Sequence, residues 1–195
     1  MTSRSQQLIK SSLSEAQELL ALFIDAPTNI NTISEIAEAI RDVFERRGRV
    51  FICGNGGSMC DAMHFAEEWT GRFRKNREPM PVIVLGDPSH LTCVANDFGF
   101  DSVFSRLVQA LGHPRDILIT ISTSGNSENI IQAAKMAKNQ EMAVLGLLGQ
   151  DGGNLKYDCD QYLIAPGSTS DRIQEIHMLV LHIIVEIVEK QMFYN

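Results

Sequence analysis

Paired cysteines, a surplus of positive charge and a long apolar run are all missing from this chain, and each lack closes a class of function. Its four cysteines, Cys53, Cys60, Cys93 and Cys159, form no C-x-x-C pair. Free or buried thiols in a reducing cytoplasm are therefore expected, ahead of disulfides or a thiolate zinc site. Basic residues number 17 against 24 acidic ones, a formal charge of −7. A general nucleic-acid role needs a basic face, so that class is set aside, although a local pocket of donors can still hold one anion. The opening stretch Met1-Thr2-Ser3-Arg4-Ser5-Gln6-Gln7 has no apolar signal core, and the apolar run near the C-terminus is broken by His182, Glu186 and Glu189. Neither a leader nor a membrane span is expected. No internal repeat, low-complexity tract or Pro/Gly/Ser linker divides the 195 residues, and the reading is one cytoplasmic domain over 1–195.

What is present is periodic. Apolar residues at helical intervals predict a helix over about 5–24, ended by Pro27. A second helix over about 32–47 carries the stripe Ile33, Ile36, Ile40, Val43 and Phe44, with Gly48 as its stop. Beyond it, short apolar segments at 50–53, 82–85, 117–121, 143–148 and 162–165 alternate with helical stretches, the last running over about 171–191. Strand–helix alternation with near-continuous apolar strands predicts an α/β fold whose parallel sheet is covered on both faces. The terminal helices carry more apolar stripe than a small sheet needs. That excess predicts a homo-oligomer, with residues 1–47 as the oligomerisation segment and 48–195 as the α/β core.

Two loops stand at strand ends. Ser122-Thr123-Ser124-Gly125-Asn126-Ser127 follows Ile117–Ile121 and precedes a helix from Glu128, and Gly54-Asn55-Gly56-Gly57-Ser58 follows Val50–Cys53. Ligands of doubly wound sheets bind outside the carboxyl ends of the strands, so both loops belong to one rim. Helix-start N–H groups and neutral hydroxyls suit a phosphate. No lysine lies in the hydroxyl loop, and the G-x-x-x-x-G-K-[S/T] spacing is absent. The pattern points to a small phosphorylated ligand, a sugar phosphate rather than a nucleoside triphosphate. Ser and Asn also cap helices on their own account, which is the plainer alternative.

His64 and Glu68 stand four apart and so share a helix face. Gln174 and His182 stand eight apart on the last helix, two turns along. If the two helices meet, two imidazoles, a carboxylate and an amide oxygen surround one point, a donor set suited to zinc or another divalent metal. Singly, a histidine and glutamate four apart more often form a surface hydrogen bond than a metal site, and His182 within its apolar run is more often a hydrogen-bonded core histidine than a ligand. Arg72 and Arg74 suit an anion or merely a helix end, Asn96-Asp97 suit sugar hydroxyls or a helix end before Gly99, and Asp171 suits a ligand or a helix start. His90, His113 and His177 show no partner in the sequence.

The motifs Cys53-Gly54-Asn55-Gly56-Gly57-Ser58, Asp61-Ala62-Met63-His64-Phe65-Ala66-Glu67-Glu68, Asn96-Asp97-Phe98-Gly99-Phe100 and Ser122–Ser127 resemble the sugar isomerase (SIS) domain family. So do Asp171-Arg172-Ile173-Gln174-Glu175-Ile176-His177 and His182, and the resemblance runs over nearly the whole chain. It implies a flavodoxin-like three-layer sandwich on a five-stranded parallel sheet, assembled as a homotetramer with active sites between subunits. It implies ketose–aldose isomerisation of sedoheptulose 7-phosphate to D-glycero-D-manno-heptose 7-phosphate, on the way to lipopolysaccharide heptose. By family pattern, Ser122, Thr123, Ser124 and Ser127 hold the phosphate. Asn55, Gly56, Gly57, Ser58, Glu68 and Gln174 line the pocket, and Asn96 and Asp97 meet sugar hydroxyls. Glu68 and His182 match the acid–base positions, and His64, Glu68, Gln174 and His182 match the zinc ligands. A non-catalytic relative that binds a phosphosugar or a replication initiator is the alternative; such relatives can lack the second histidine of the last helix, present here as His182.

Overall fold

Apolar runs without polar alternation belong to strands covered on both faces. In the computed structural model, which describes residues 3–194, strands β1 (Val50–Gly54) and β3 (Ile117–Ser122) are buried along their whole length. With β2 (Val82–Val84), β4 (Ala143–Gly149) and β5 (Gln161–Ala165) they form one parallel sheet in the order β2-β1-β3-β4-β5. Alternate strand residues feed two cores. Val50, Ile52, Ile117, Ile119 and Leu145 face α2 (Pro27–Glu45), α3 (Gly57–Thr70) and α7 (Ser170–Phe193). Phe51, Cys53, Leu118 and Val144 face α4 (Pro88–Phe98), α5 (Ser105–Leu111) and α6 (Glu128–Asn139). This is the expected three-layer α/β sandwich.

The order reverses between β1 and β3. The helix after β1 packs on one face of the sheet and the helix after β3 on the other, so their loops part at the carboxyl edge and open a crevice.

The N-terminal helices differ from expectation in two details. Pro27 starts α2 rather than merely ending α1 (Arg4–Asp25), because its fixed φ and missing N–H suit a first-turn position. The stop of α2 is also not Gly48. Arg47 takes the left-handed conformation with φ 59°, and the Gly48 N–H closes back on the Val43 carbonyl at 2.8 Å. Gly48 is needed for space: a Cβ there would lie 2.1 Å from the Arg115 carbonyl oxygen. Arg47→Gly should therefore raise the unfolding free energy by about 0.5–1 kcal/mol, since it relieves a left-handed arginine at some cost in chain entropy. Urea unfolding at fixed protein concentration measures it.

α1 is held to α7 by Arg172, which donates to Glu15 and Ser12. Among its described residues only Phe23 is fully buried, while Leu8, Ile9, Leu13 and Leu22 face outwards. None of the described helices is long and apolar enough to cross a membrane.

Candidate functional site

At the crevice, Gly54 and Ile121 stand in register before their chains separate. A cleft of about 430 Å³ opens there. Asn55, Gly56, Gly57 and Ser58 line it from the β1 side, Ser122, Thr123 and Ser127 from the β3 side, and Ser170 and Gln174 from α7. Three helices begin at this cleft: α3 at Gly56, α6 at Ser127 and α7 at Thr169. In none of them does the side chain of the N-cap residue accept from the first turn. Helix starts aim backbone N–H groups and the positive ends of helix dipoles at the cleft, which suits a phosphate.

The hydroxyl loop is held in shape from below. The Gly125 N–H donates to Ser122 Oγ at 3.1 Å, and the Asn126 N–H to Ser124 Oγ at 3.2 Å. Gly125 has φ 62°, and a Cβ on it would lie 2.0 Å from the Gly152 carbonyl oxygen, so the loop after β4 packs directly beneath it. The Leu155 N–H seals that contact on the Gly125 carbonyl at 2.9 Å. Thr123 Oγ1 shares a 3.1 Å hydrogen bond with Ser170 Oγ, which joins the β3 loop to the start of α7.

α3 and α7 run side by side. At their starts, Gln174 Nε2 donates to Ser58 Oγ at 3.4 Å. Further along, Glu68 Oε1 lies 3.3 Å from His182 Nε2 and 3.5 Å from His64 Nε2. The three ligand atoms fall within 4.8 Å of one another. Phe73 stacks on the His182 ring at 6.0 Å. Burial drives the Glu68 carboxyl above its ordinary range against the pull of His64. Burial and then the neighbouring His64 hold His182 below its own. Glu68 Oε2 is buried with no hydrogen-bond partner. A buried carboxylate with one oxygen facing two imidazoles and the other unpartnered fits a divalent metal such as zinc, which takes nitrogen and oxygen donors in close array. Asp61, one turn before the cluster, also buries an unpartnered Oδ2, and burial pushes its carboxyl up to about 6.

A family model described as "SIS domain" matches residues 13–149. The phosphoheptose isomerase of Fusobacterium nucleatum is 54% identical over 176 residues, which are 90% of this chain and 91% of that protein. The phosphoheptose isomerase of Vibrio cholerae is 50% identical over 188 residues, 96% of this chain and 98% of that one. The solved structure of a phosphoheptose isomerase from Francisella tularensis superposes with a TM-score of 0.91 at 36% identity, covering 97% of this chain and 100% of that chain. The chain belongs to the SIS domain family. By that kinship it is an isomerase.

Within this SIS domain, one chain draws together most of the residues that the motifs suggested, in two groups. Asn55, Gly56, Gly57, Ser58, Ser122, Thr123, Ser127 and Gln174 line the cleft. His64, Glu68 and His182 form the cluster. Ser124 does not line the cleft, because its hydroxyl and carbonyl serve the turn to Asn126. Gln174 stands with Ser58, two helical turns short of His182. Asn96 and Asp97 lie apart from both groups, exposed at the end of α4, where Asn96 Nδ2 donates to Asp97 Oδ1 at 2.8 Å. Beside them Phe98 and Phe100 also face outwards. Sequence reasoning missed Ser170, a cleft residue hidden in what reads as a helix start.

His177, which had no visible partner in the sequence, is a core residue. Its Nε2 donates to the Leu148 carbonyl at 2.8 Å, while Nδ1 is buried and unpartnered. Only the neutral ring fits, and burial lowers its pKa from 6.5 to about 4. Above pH 6.5 both folded and unfolded rings are neutral, and this contribution to stability is complete. Between 6.5 and 4 the unfolded ring takes a proton that the folded one refuses, so stability falls as pH falls. The loss should reach on the order of 3 kcal/mol by pH 4. Unfolding free energies across that window should show it, and His177→Leu should flatten the same segment.

Proposed function

We propose that this protein interconverts sedoheptulose 7-phosphate and D-glycero-D-manno-heptose 7-phosphate in the cytoplasm, towards lipopolysaccharide heptose. The observation that carries the reading is a buried carboxylate set between two imidazoles on the same helix pair that opens a phosphate-suited cleft. Ser122, Thr123 and Ser127 hold the phosphate, with Ser124 shaping the loop between them and Asn55, Gly56, Gly57, Ser58 and Gln174 along the chain of the sugar. Asn96 and Asp97 meet its hydroxyls.

Ketose–aldose exchange moves a proton between C1 and C2 and shifts a proton between their oxygens. Glu68, raised by burial, is suited to take the carbon-bound proton and return it to the neighbouring carbon. His182, whose charged form burial disfavours, exchanges protons with the oxygens. His64, Glu68 and His182 would hold a zinc ion, which when bound supplies electrophilic polarisation of the carbonyl oxygen. Glu68 cannot serve as a free base while fully committed as a ligand, so the two roles compete at one carboxylate.

Gln174 is the fourth metal position by family pattern. In one chain it faces Ser58 instead, and Asn96 and Asp97 stand apart from the cleft. Sites shared between subunits of a homotetramer would reconcile both, and the outward apolar side chains of α1 support packing through residues 1–47.

The test is purified protein with sedoheptulose 7-phosphate, followed by NMR for the aldose, with and without a chelator. Metal content is assayed on the same preparation, and particle mass by light scattering. Aldose formation by a four-chain particle supports the reading. Tight phosphosugar binding without turnover would favour the non-catalytic regulator.

A further inference from the structure

We infer that Asn129 is a positioning residue of the sugar-phosphate cleft, acting through Asn55; this rests on the isomerase reading above. The two side-chain amides pair reciprocally. Asn55 Nδ2 donates to Asn129 Oδ1 at 2.9 Å, and Asn129 Nδ2 donates to Asn55 Oδ1 at 2.9 Å. Asn55 lines the cleft, whereas Asn129 is 2% exposed and does not.

The pair spans the parting of the two loops. Asn55 is the first residue beyond β1, on the chain that turns into α3, and Asn129 sits in the first turn of α6 beyond β3. Those helices go to opposite faces of the sheet, so the amide pair ties together the two halves of the crevice. A buried amide is costly unless both its donor and its acceptor are used. An apolar residue, like the neighbouring Ile130 and Ile131, would pack here without that cost. The amide at 129 instead fixes the plane and rotamer of Asn55. A side-chain amide offers two donors and two lone pairs. Asn55 spends one of each on Asn129 and keeps one N–H and one lone pair, already oriented, for the sugar.

The test is a double-mutant cycle over Asn55→Ala, Asn129→Ala and both together. Each variant is measured for KM and kcat with sedoheptulose 7-phosphate, for calorimetric Kd with the same compound, and for unfolding midpoint. Asn129→Ala should raise KM about tenfold with kcat within about twofold, the sign of lost binding rather than lost chemistry. In the Asn55→Ala background the same change should add less than about twofold. A merely structural role would move the midpoint but not produce this non-additivity. Losses that multiply, or an unchanged KM and Kd in Asn129→Ala, would overturn the positioning role. If Asn129→Ala does not fold, Asn129→Ser replaces it in the same cycle, since a hydroxyl cannot close both bonds. If the unmodified protein binds without turnover, the isomerase reading fails and the cycle is decided on Kd alone. Absence of binding by the unmodified protein overturns both.

Discussion

Glu68→Gln should lower isomerase turnover by about 10²–10⁴-fold while substrate binding and the fold persist. The substitution keeps the shape of the side chain and removes only its capacity to accept a proton. Glu68 is buried to 7% exposure, and burial already disfavours its charge, so loss of that charge relieves a desolvation penalty. The unfolding free energy should accordingly be unchanged or slightly higher. Its neighbours also make the loss specific. Oε1 faces both His182 and His64, and an amide at 68 leaves both imidazoles without a carboxylate neighbour at that position. The measurement is kcat and KM by NMR, joined to exchange of the substrate's carbon-bound hydrogen in deuterated water. Both turnover and exchange should fall together if Glu68 takes that proton. Near-normal turnover in a correctly assembled Glu68→Gln protein would remove it from the role of base.

What could be read without coordinates followed from how local each signal is. Val50–Cys53 and Ile117–Ile121 are continuous apolar runs because both faces are covered, and that alone announced a parallel sheet. The glycine and hydroxyl loops were legible because strand ends are where such sheets bind ligands. His64 and Glu68 share a helix face by spacing, so two of the cluster's three residues were visible in one turn. Its completion by His182 depended on α3 meeting α7, which spacing only allowed. The features that escaped are those made by distant partners. Asn129 finds Asn55 across 74 residues, and Arg77 finds Glu189 across 112. Gly48 looked like a helix stop, whereas its reason is the Arg115 carbonyl. Asn96 and Asp97 suited sugar hydroxyls or a helix end equally by residue type, resemblance chose the first, and a single chain leaves them on its surface.

Arg77 carries the second large prediction: Arg77→Met should cost about 3–5 kcal/mol, enough to lower the thermal midpoint by about 10 °C. Its side chain is 1% exposed and that of Glu189 is 4% exposed, with Nε to Oε1 at 3.0 Å. The remaining guanidinium donors go to the Glu68, Trp69 and Glu78 carbonyls. The plane also lies over Trp69, 5.2 Å from the ring centre. Without Arg77, Glu189 becomes a buried carboxylate with no counter-charge, and the last turn of α3 loses donors on two carbonyls. Lysine is no substitute, because a point charge cannot reach three carbonyls and a carboxylate at once. Adding Glu189→Leu to Arg77→Met should recover about 2 kcal/mol, since the isolated charge is gone while the Glu68 and Glu78 carbonyls still lack their guanidinium donors and that of Trp69 keeps only the Met80 N–H. Equal losses in the single and double variants would mean that the ion pair itself contributes nothing. Arg77 also grips the backbone of Glu68, so Arg77→Met should reduce turnover below its unfolding temperature, an effect that the double variant should not restore. Stability would then follow the buried charge, and activity would follow the backbone grip on Glu68, the residue proposed to move the proton.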